Sequence, residues 1–211
     1  MRPRFPRLLR PVVLAWLGAT ALSAAPVAAL RWIDPGEPRV ASALAAGQAA
    51  ADELVRTLQA EVTRAVAAGG PTGAVAACQL KALPLTADVA AAHAPAVTAV
   101  KRTALKLRNP ANAPDSAEQA ALDRIAALVA RGAPLPSVLI QELASPGQPV
   151  ELRFYRPLIV AKGCLACHGD PAKFPPDLKA VLAARYPADS ATGYRENDWR
   201  GLLRVSLKPT S

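Results

Sequence analysis

Two cysteines separated by two residues and followed at once by a histidine, Cys164-Leu165-Ala166-Cys167-His168, constrain this chain more than any other feature of it. Three reactive side chains within five residues converge on one guest or one bond, and the fold has to be built around that point. Three chemistries use such a cluster: a structural zinc, a disulfide or redox dithiol, and a porphyrin held by two thioethers with an imidazole under its iron. The rest of the chain discriminates among them.

The first thirty residues bear on the compartment. Residues 1–10 carry four arginines and no acid, and residues 11–30 are uncharged. This is the layout of a secretory leader with a small-residue exit at Val27-Ala28-Ala29, so residues 1–29 are read as a signal peptide cleaved after Ala29. The run also approaches the roughly 20 apolar residues that span a bilayer. An uncleaved anchor, tethering the protein to the membrane through residues 11–30, is the alternative. Either way the bulk of the chain is expected to be exported, to the periplasm. Without the leader the formal charge falls from +9 to +5, because four of the 25 basic residues and none of the 16 acids lie in it. The remaining Lys and Arg are scattered and not interleaved with aromatics, which argues against a nucleic-acid partner.

Zinc fits poorly. A structural zinc usually takes two ligand pairs, but there is no second C-x-x-C or H-x-x-x-H, and only Cys78, 86 positions upstream, is left to complete a Cys3His set. A redox dithiol sits on the strand-to-helix turn of a βαβ pattern, which the sequence lacks. C-x-x-C-H is the recognised signature of covalent haem attachment. In bacteria that attachment is made outside the cytoplasm, in agreement with the leader. The expected cofactor is therefore one covalent haem c on Cys164 and Cys167, with His168 as proximal iron ligand. The only methionine is Met1, so the His/Met ligation common in electron-carrying cytochromes is excluded. Candidates for the far side of the iron are Cys78, His93, a lysine, or an open position for a small gas. An unpaired thiol in an exported protein is an oxidation liability, which ligation to iron would remove.

Residues 41–68 place Leu54, Val55, Leu58, Val62 and Val66 at three-to-four-residue intervals, which predicts an amphipathic helix stopped by Gly69-Gly70-Pro71. A second helical piece begins near Gly73 and presents Val75 and Cys78 on one face; Pro84 is expected to bend or end it before a short helical stretch up to Pro95. A strand and an ordered loop follow through residues 97–115. Ser116 with Gln119 reads as a capping box for a helix ended by Gly132. Residues 137–144 and 149–160 read as a hairpin across Ser145-Pro146-Gly147, then come the cysteine motif, a helix from Pro175, and a closing strand in which Leu203, Val205 and Leu207 alternate with polar residues. Apolar residues make up 52% of the chain, yet aromatics only 4%, so helices are expected to pack closely through small side chains. This order implies an α+β domain with an antiparallel sheet and long N-terminal helices. The organisation is a leader over 1–29, a linker over 30–40, one domain over 41–208 and a tail over 209–211.

In order, "AACQLKALPL", "RTALKLRNPANAPD", "FYRPLIV", "CLACHGDP" and "YPADSATGYRENDWRGLLRVSLK" resemble the Tll-type haem domain, a family of single-haem c-type proteins with a PAS-like sheet. The resemblance covers about residues 41–208. It implies haem bound through Cys164 and Cys167, His168 and Cys78 as axial ligands, and a sensory or redox role. Lys101, Arg102 and Arg108 lie where they are candidates to pair with the haem propionates.

Two functional classes follow. If Cys78 ligates, a thiolate stabilises ferric iron, and a replaceable bond to it suits a redox or small-gas sensor. The alternative is a periplasmic one-electron-transfer cytochrome c with a redox partner protein. An enzyme is not expected, since no Ser/His/Asp set or convergent carboxylate pair is apparent.

Overall fold

The computed structural model describes residues 29–209. The leader and its exit lie almost wholly outside the described residues. Residues 30–40, expected to form a linker, instead carry strand β1 (Ala29–Ile33) and a single 3-10 turn at Pro38–Val40. The strand hides in the sequence because its five residues, Ala-Leu-Arg-Trp-Ile, run straight out of the uncharged leader. It is held by antiparallel pairing to residues more than a hundred positions away.

Helix α1 (Ala41–Ala92) is broken at Gly69 and Gly70 into two arms, 41–68 and 71–92. Gly70 has φ +63°, a conformation that a residue with a side chain rarely adopts, so the Gly-Gly pair permits the sharp reversal. The arms run antiparallel: Lys81 Nζ meets Glu61 Oε1 at 2.9 Å, and His93 Nε2 meets Glu53 Oε2 at 2.8 Å. Pro84, expected to bend or end the second arm, does not end it, and the helix runs on to Ala92. Pro84 and Leu80 both face solvent, so the carbonyl that loses its N–H donor at Pro84 is on the water side of the helix.

Strand β2 (Val97–Thr103) leads to helix α2 (Ser116–Ala130), then to the hairpin of β3 (Leu139–Ala144) and β4 (Glu151–Ile159). The motif follows in a 3-10 turn at Lys162–Cys164 and the one-turn helix α3 (Leu165–His168). Helix α4 (Pro176–Arg185) and strand β5 (Trp199–Leu207) complete the chain. The five strands form one antiparallel sheet in the order β1-β3-β4-β5-β2.

The period of two along the strands sorts side chains to two layers. Phe154, Leu203 and Val205 pack with Leu54 and Val89 under α1, while Tyr155 and Leu202 pack with Leu122 and Ile125 under α2. Gly47 lets α1 lie against the sheet, since a β-carbon there would stand 2.7 Å from Phe154 Cγ. The capping box of α2 is one residue earlier than expected. Asp115 accepts from Glu118 N at 2.8 Å and Glu118 Oε2 accepts from Asp115 N at 2.9 Å. Glu118 is fully buried because Lys101 and Arg204 neutralise it, whereas Gln119 turns outward to Asp123. A third cluster, Val75, Phe174, Leu178, Leu182 and Tyr186, joins the second arm of α1 to α4 and reaches Cys167.

Candidate functional site

The motif sits on a platform made by residues 187–198, the polar loop before β5. Gly193 N donates to Gly169 O at 2.7 Å, Tyr194 N to His168 O at 3.0 Å, and Val160 N to Asp198 O at 2.9 Å. Gly169 is required at the end of α3, because a β-carbon there would lie 2.6 Å from Leu165 O. Arg108 ties this platform to the loop after β2: Nε donates to Asp189 Oδ2 at 2.9 Å and Nη2 to Cys167 O at 2.6 Å. Both members of that ion pair are nearly buried, with side-chain exposures of 12% and 9%.

His168 is held through one ring nitrogen. Its Nδ1 lies 2.7 Å from Ala191 O, which fixes Nδ1 as the protonated nitrogen and leaves Nε2 available to a metal. Burial, and then the charges of Arg108 and Arg200, push its pKa down to about 3, so the imidazole is neutral at physiological pH, as a metal ligand must be. Tyr194 stands edge-on to the ring at a centroid distance of 6.5 Å.

In front of His168 is a cleft whose empty volume, open mouth included, is ≈ 810 Å³. Cys78, from the second arm of α1, and His168 both line it, although 90 residues separate them. Its apolar wall includes Ala82, Ala104, Leu107 and Leu158, and its polar wall Arg102, Arg108 and Arg200. Burial pushes the Cys78 thiol up, while Arg102 and Arg108 pull it the other way. Cys164 is exposed and Cys167 half-buried, beside His168, and no disulfide joins any of the three cysteines. Burial likewise raises the pKa of Cys167.

The Tll0287-like family model, described as Tll0287, matches residues 40–208. The chain belongs to the Tll0287-like family. Membership accounts for the α+β fold, with its long N-terminal helix and open antiparallel sheet of the PAS-like type. A solved structure, described as the crystal structure of the cyanobacterial heme-protein Tll0287, is similar with a TM-score of 0.51 and 23% identity, covering 83% of this chain and 99% of that one. None of the curated proteins matches the chain.

The residues present fit a haem. The cleft offers an imidazole nitrogen, a second soft donor, an apolar wall, and a buried guanidinium nitrogen, Arg102 Nε, with no hydrogen-bond partner among the described residues. An amphiphilic, anionic disc would satisfy each of these. A zinc set fits less well, because among the described residues no three His, Cys, Asp or Glu are placed to hold a metal ion together. The other sequence candidates lie elsewhere. His93 is paired with Glu53 and is absent from the cleft wall, and Lys101 Nζ points to the α2 face, where it donates to Glu118 Oε2 at 2.7 Å and Ala113 O at 2.6 Å. Sequence reasoning missed Arg200, Asp189 and Tyr194. All three lie in the quoted stretch "YPADSATGYRENDWRG", whose two arginines, three acids and absence of lysine read as a solvated polar loop until its contacts with Arg108 and His168 are known.

Proposed function

We propose that this chain is an exported haem-binding protein that would carry one covalent haem c on Cys164 and Cys167, with His168 and Cys78 holding the iron, and that it senses redox state or a small ligand. The observation that carries the reading is the single cleft lined by both Cys78 and His168, brought together from α1 and α3. When bound, haem would supply an iron centre whose ferric form is favoured by thiolate ligation. The residues of the chain do the remainder. His168 is oriented by Ala191 O and kept neutral, Arg108 holds the Cys167 carbonyl in place, and Arg102 and Arg108 favour the thiolate of Cys78 against the burial that opposes it.

The second arm of α1 is the element suited to move. It is joined to α4 by Thr72 to Asp177 at 2.8 Å and by Arg185 to Gln79 at 2.5 Å, both at the surface and individually weak. Loss of the Cys78 bond would remove one tie on an arm otherwise held by Val75 and Val89 in the apolar clusters and by Lys81 and His93 against the first arm. Exchange of ligand for motion is the property of a sensor, and no catalytic role is assigned. A one-electron carrier is the second reading, favoured by the exposure of Cys164, which brings one edge of the tethered group near solvent. Export, and the alternative of a tether through residues 11–30, rest on the leader pattern.

Protein made with the haem-attachment machinery is expected to gain the mass of one haem and to give a c-type pyridine haemochrome. Cys78→Ser is then expected to change the absorption spectrum in at least one oxidation state. Identical spectra in both states would remove Cys78 from the iron, and reversible voltammetry with no sign of ligand exchange would favour the carrier.

A further inference from the structure

The cleft carries more positive charge than the protein neutralises. Arg102, Arg108 and Arg200 line it, and no aspartate or glutamate does. Arg108 has its counter-ion in Asp189. Arg102 has none among the described residues: its Nε is buried without a hydrogen-bond partner, and burial above all pulls its pKa down. Arg200 donates Nη1 to Lys106 O at 2.9 Å and lies over the Tyr194 ring at 5.3 Å, contacts that fix its direction without cancelling its charge. Burial lowers the pKa of Arg200 too. Two half-buried guanidinium groups with no carboxylate in ion-pair contact are unfavourable unless an anion joins them.

We propose that Arg102 and Arg200 form a two-cation seat for the two propionate carboxylates of the haem, and that Lys101 and Arg108 are not part of it. The inference rests on the haem reading above and deepens it. The charges match: once Arg108 is assigned to Asp189, two cations remain for two carboxylates, and guanidinium forks suit carboxylates geometrically. Lys101 is separated from Arg102 by the alternation of β2, which turns it to Glu118 on the opposite face. Arg108 commits Nε to its counter-ion Asp189 and Nη2 to the Cys167 carbonyl, so its work is to position the motif.

The test uses holoprotein whose haem carries carbon-13 at the propionate carboxyls, titrated with acid and read by infrared spectroscopy. In the wild type the labelled carboxylates are expected to stay ionised to lower pH than a water-exposed carboxylic acid. R102Q and R200Q are each expected to raise proton affinity at the labelled carboxyls by about tenfold or more, since an opposite charge at close range shifts a carboxyl by one to three pKa units. R102K and R200K should restore most of the wild-type behaviour, and K101Q should leave it unchanged. Identical titrations of the wild type, both single variants and the double variant would overturn the seat, as would an equal shift in K101Q. Should R102Q fail to fold, the wild type alone decides, because labelled carboxyls that titrate as if free in water are incompatible with the proposal. Protein bearing no labelled haem would overturn the haem reading itself, whereas bound haem indifferent to both arginines overturns only the seat.

Discussion

At the scale of the residue, the site depends on a few side chains whose partners are far away in sequence. Arg108 and Asp189 illustrate this: 81 positions apart, they are nearly buried and fix the platform under His168. Removing one partner of a buried ion pair leaves the other charge stranded, which costs about 3 kcal/mol or more. Asp189→Asn is therefore expected to destabilise the protein by about that amount, measured as a lower urea midpoint with unchanged slope. A loss below about 1 kcal/mol would mean that Arg108 finds water or another acceptor. Cys164, Cys167 and His168 were legible because their chemistry is written in five consecutive letters. Arg200 was not, since nothing local separates an arginine that lines a cleft from one that is solvated. Lys101 and Arg102 were read as equals, although strand alternation sends them to opposite faces.

Among the elements, α1 shows which local signals are sufficient. Gly69-Gly70-Pro71 announced the break in the helix, because a positive φ suits glycine there whatever the surroundings. Pro84 misled, since its effect depends on whether the deprived carbonyl can reach water, which is a property of the packed structure. The two arms are clipped by Glu61, which accepts from Arg64 and meets Lys81. Hydrogen bonds from Arg64 first, then Lys81, lower its pKa from the ordinary 4.5 to about 2. A depressed carboxylate pKa means that the native state holds the ionised form more tightly than the unfolded chain does. The contribution is complete above pH 4.5 and disappears as the pH falls toward 2. Glu61→Gln is expected to flatten the fall in thermal midpoint across that window. The effect should be modest and fade with added salt, because the pair lies at the surface. A wild type and variant whose midpoints fall in parallel would assign the acid sensitivity to other carboxylates.

For the whole molecule, the α+β class followed from the order of elements, but the strand order did not. β2 pairs with β5, a hundred residues later, and β1 emerges from an apolar run that resembles a leader, so neither partnership has a local signature. That order nevertheless puts the site where it is, at the edge where β2 and β5 meet the second arm of α1. The two helical layers differ in how they are held. α2 is pinned by buried Glu118 with Lys101 and Arg204, and by Gln141, which takes the Tyr155 hydroxyl at 2.7 Å and donates to Ala117 O at 3.0 Å. The second arm of α1 is held by the small cluster around Val75 and Leu178, by Val89 in the main core, and by surface contacts with α4 and the first arm. A change in what Cys78 binds should accordingly be felt along 71–92 and 176–185 and hardly at all in 116–130. Hydrogen exchange on oxidised and reduced holoprotein tests this. Faster exchange in one oxidation state, confined to the arm and α4 and present in both states of Cys78→Ser, is the pattern of a ligand switch that releases a helix. Protection that is the same in both states would leave the arm rigid, and the protein would then be better described as an electron carrier.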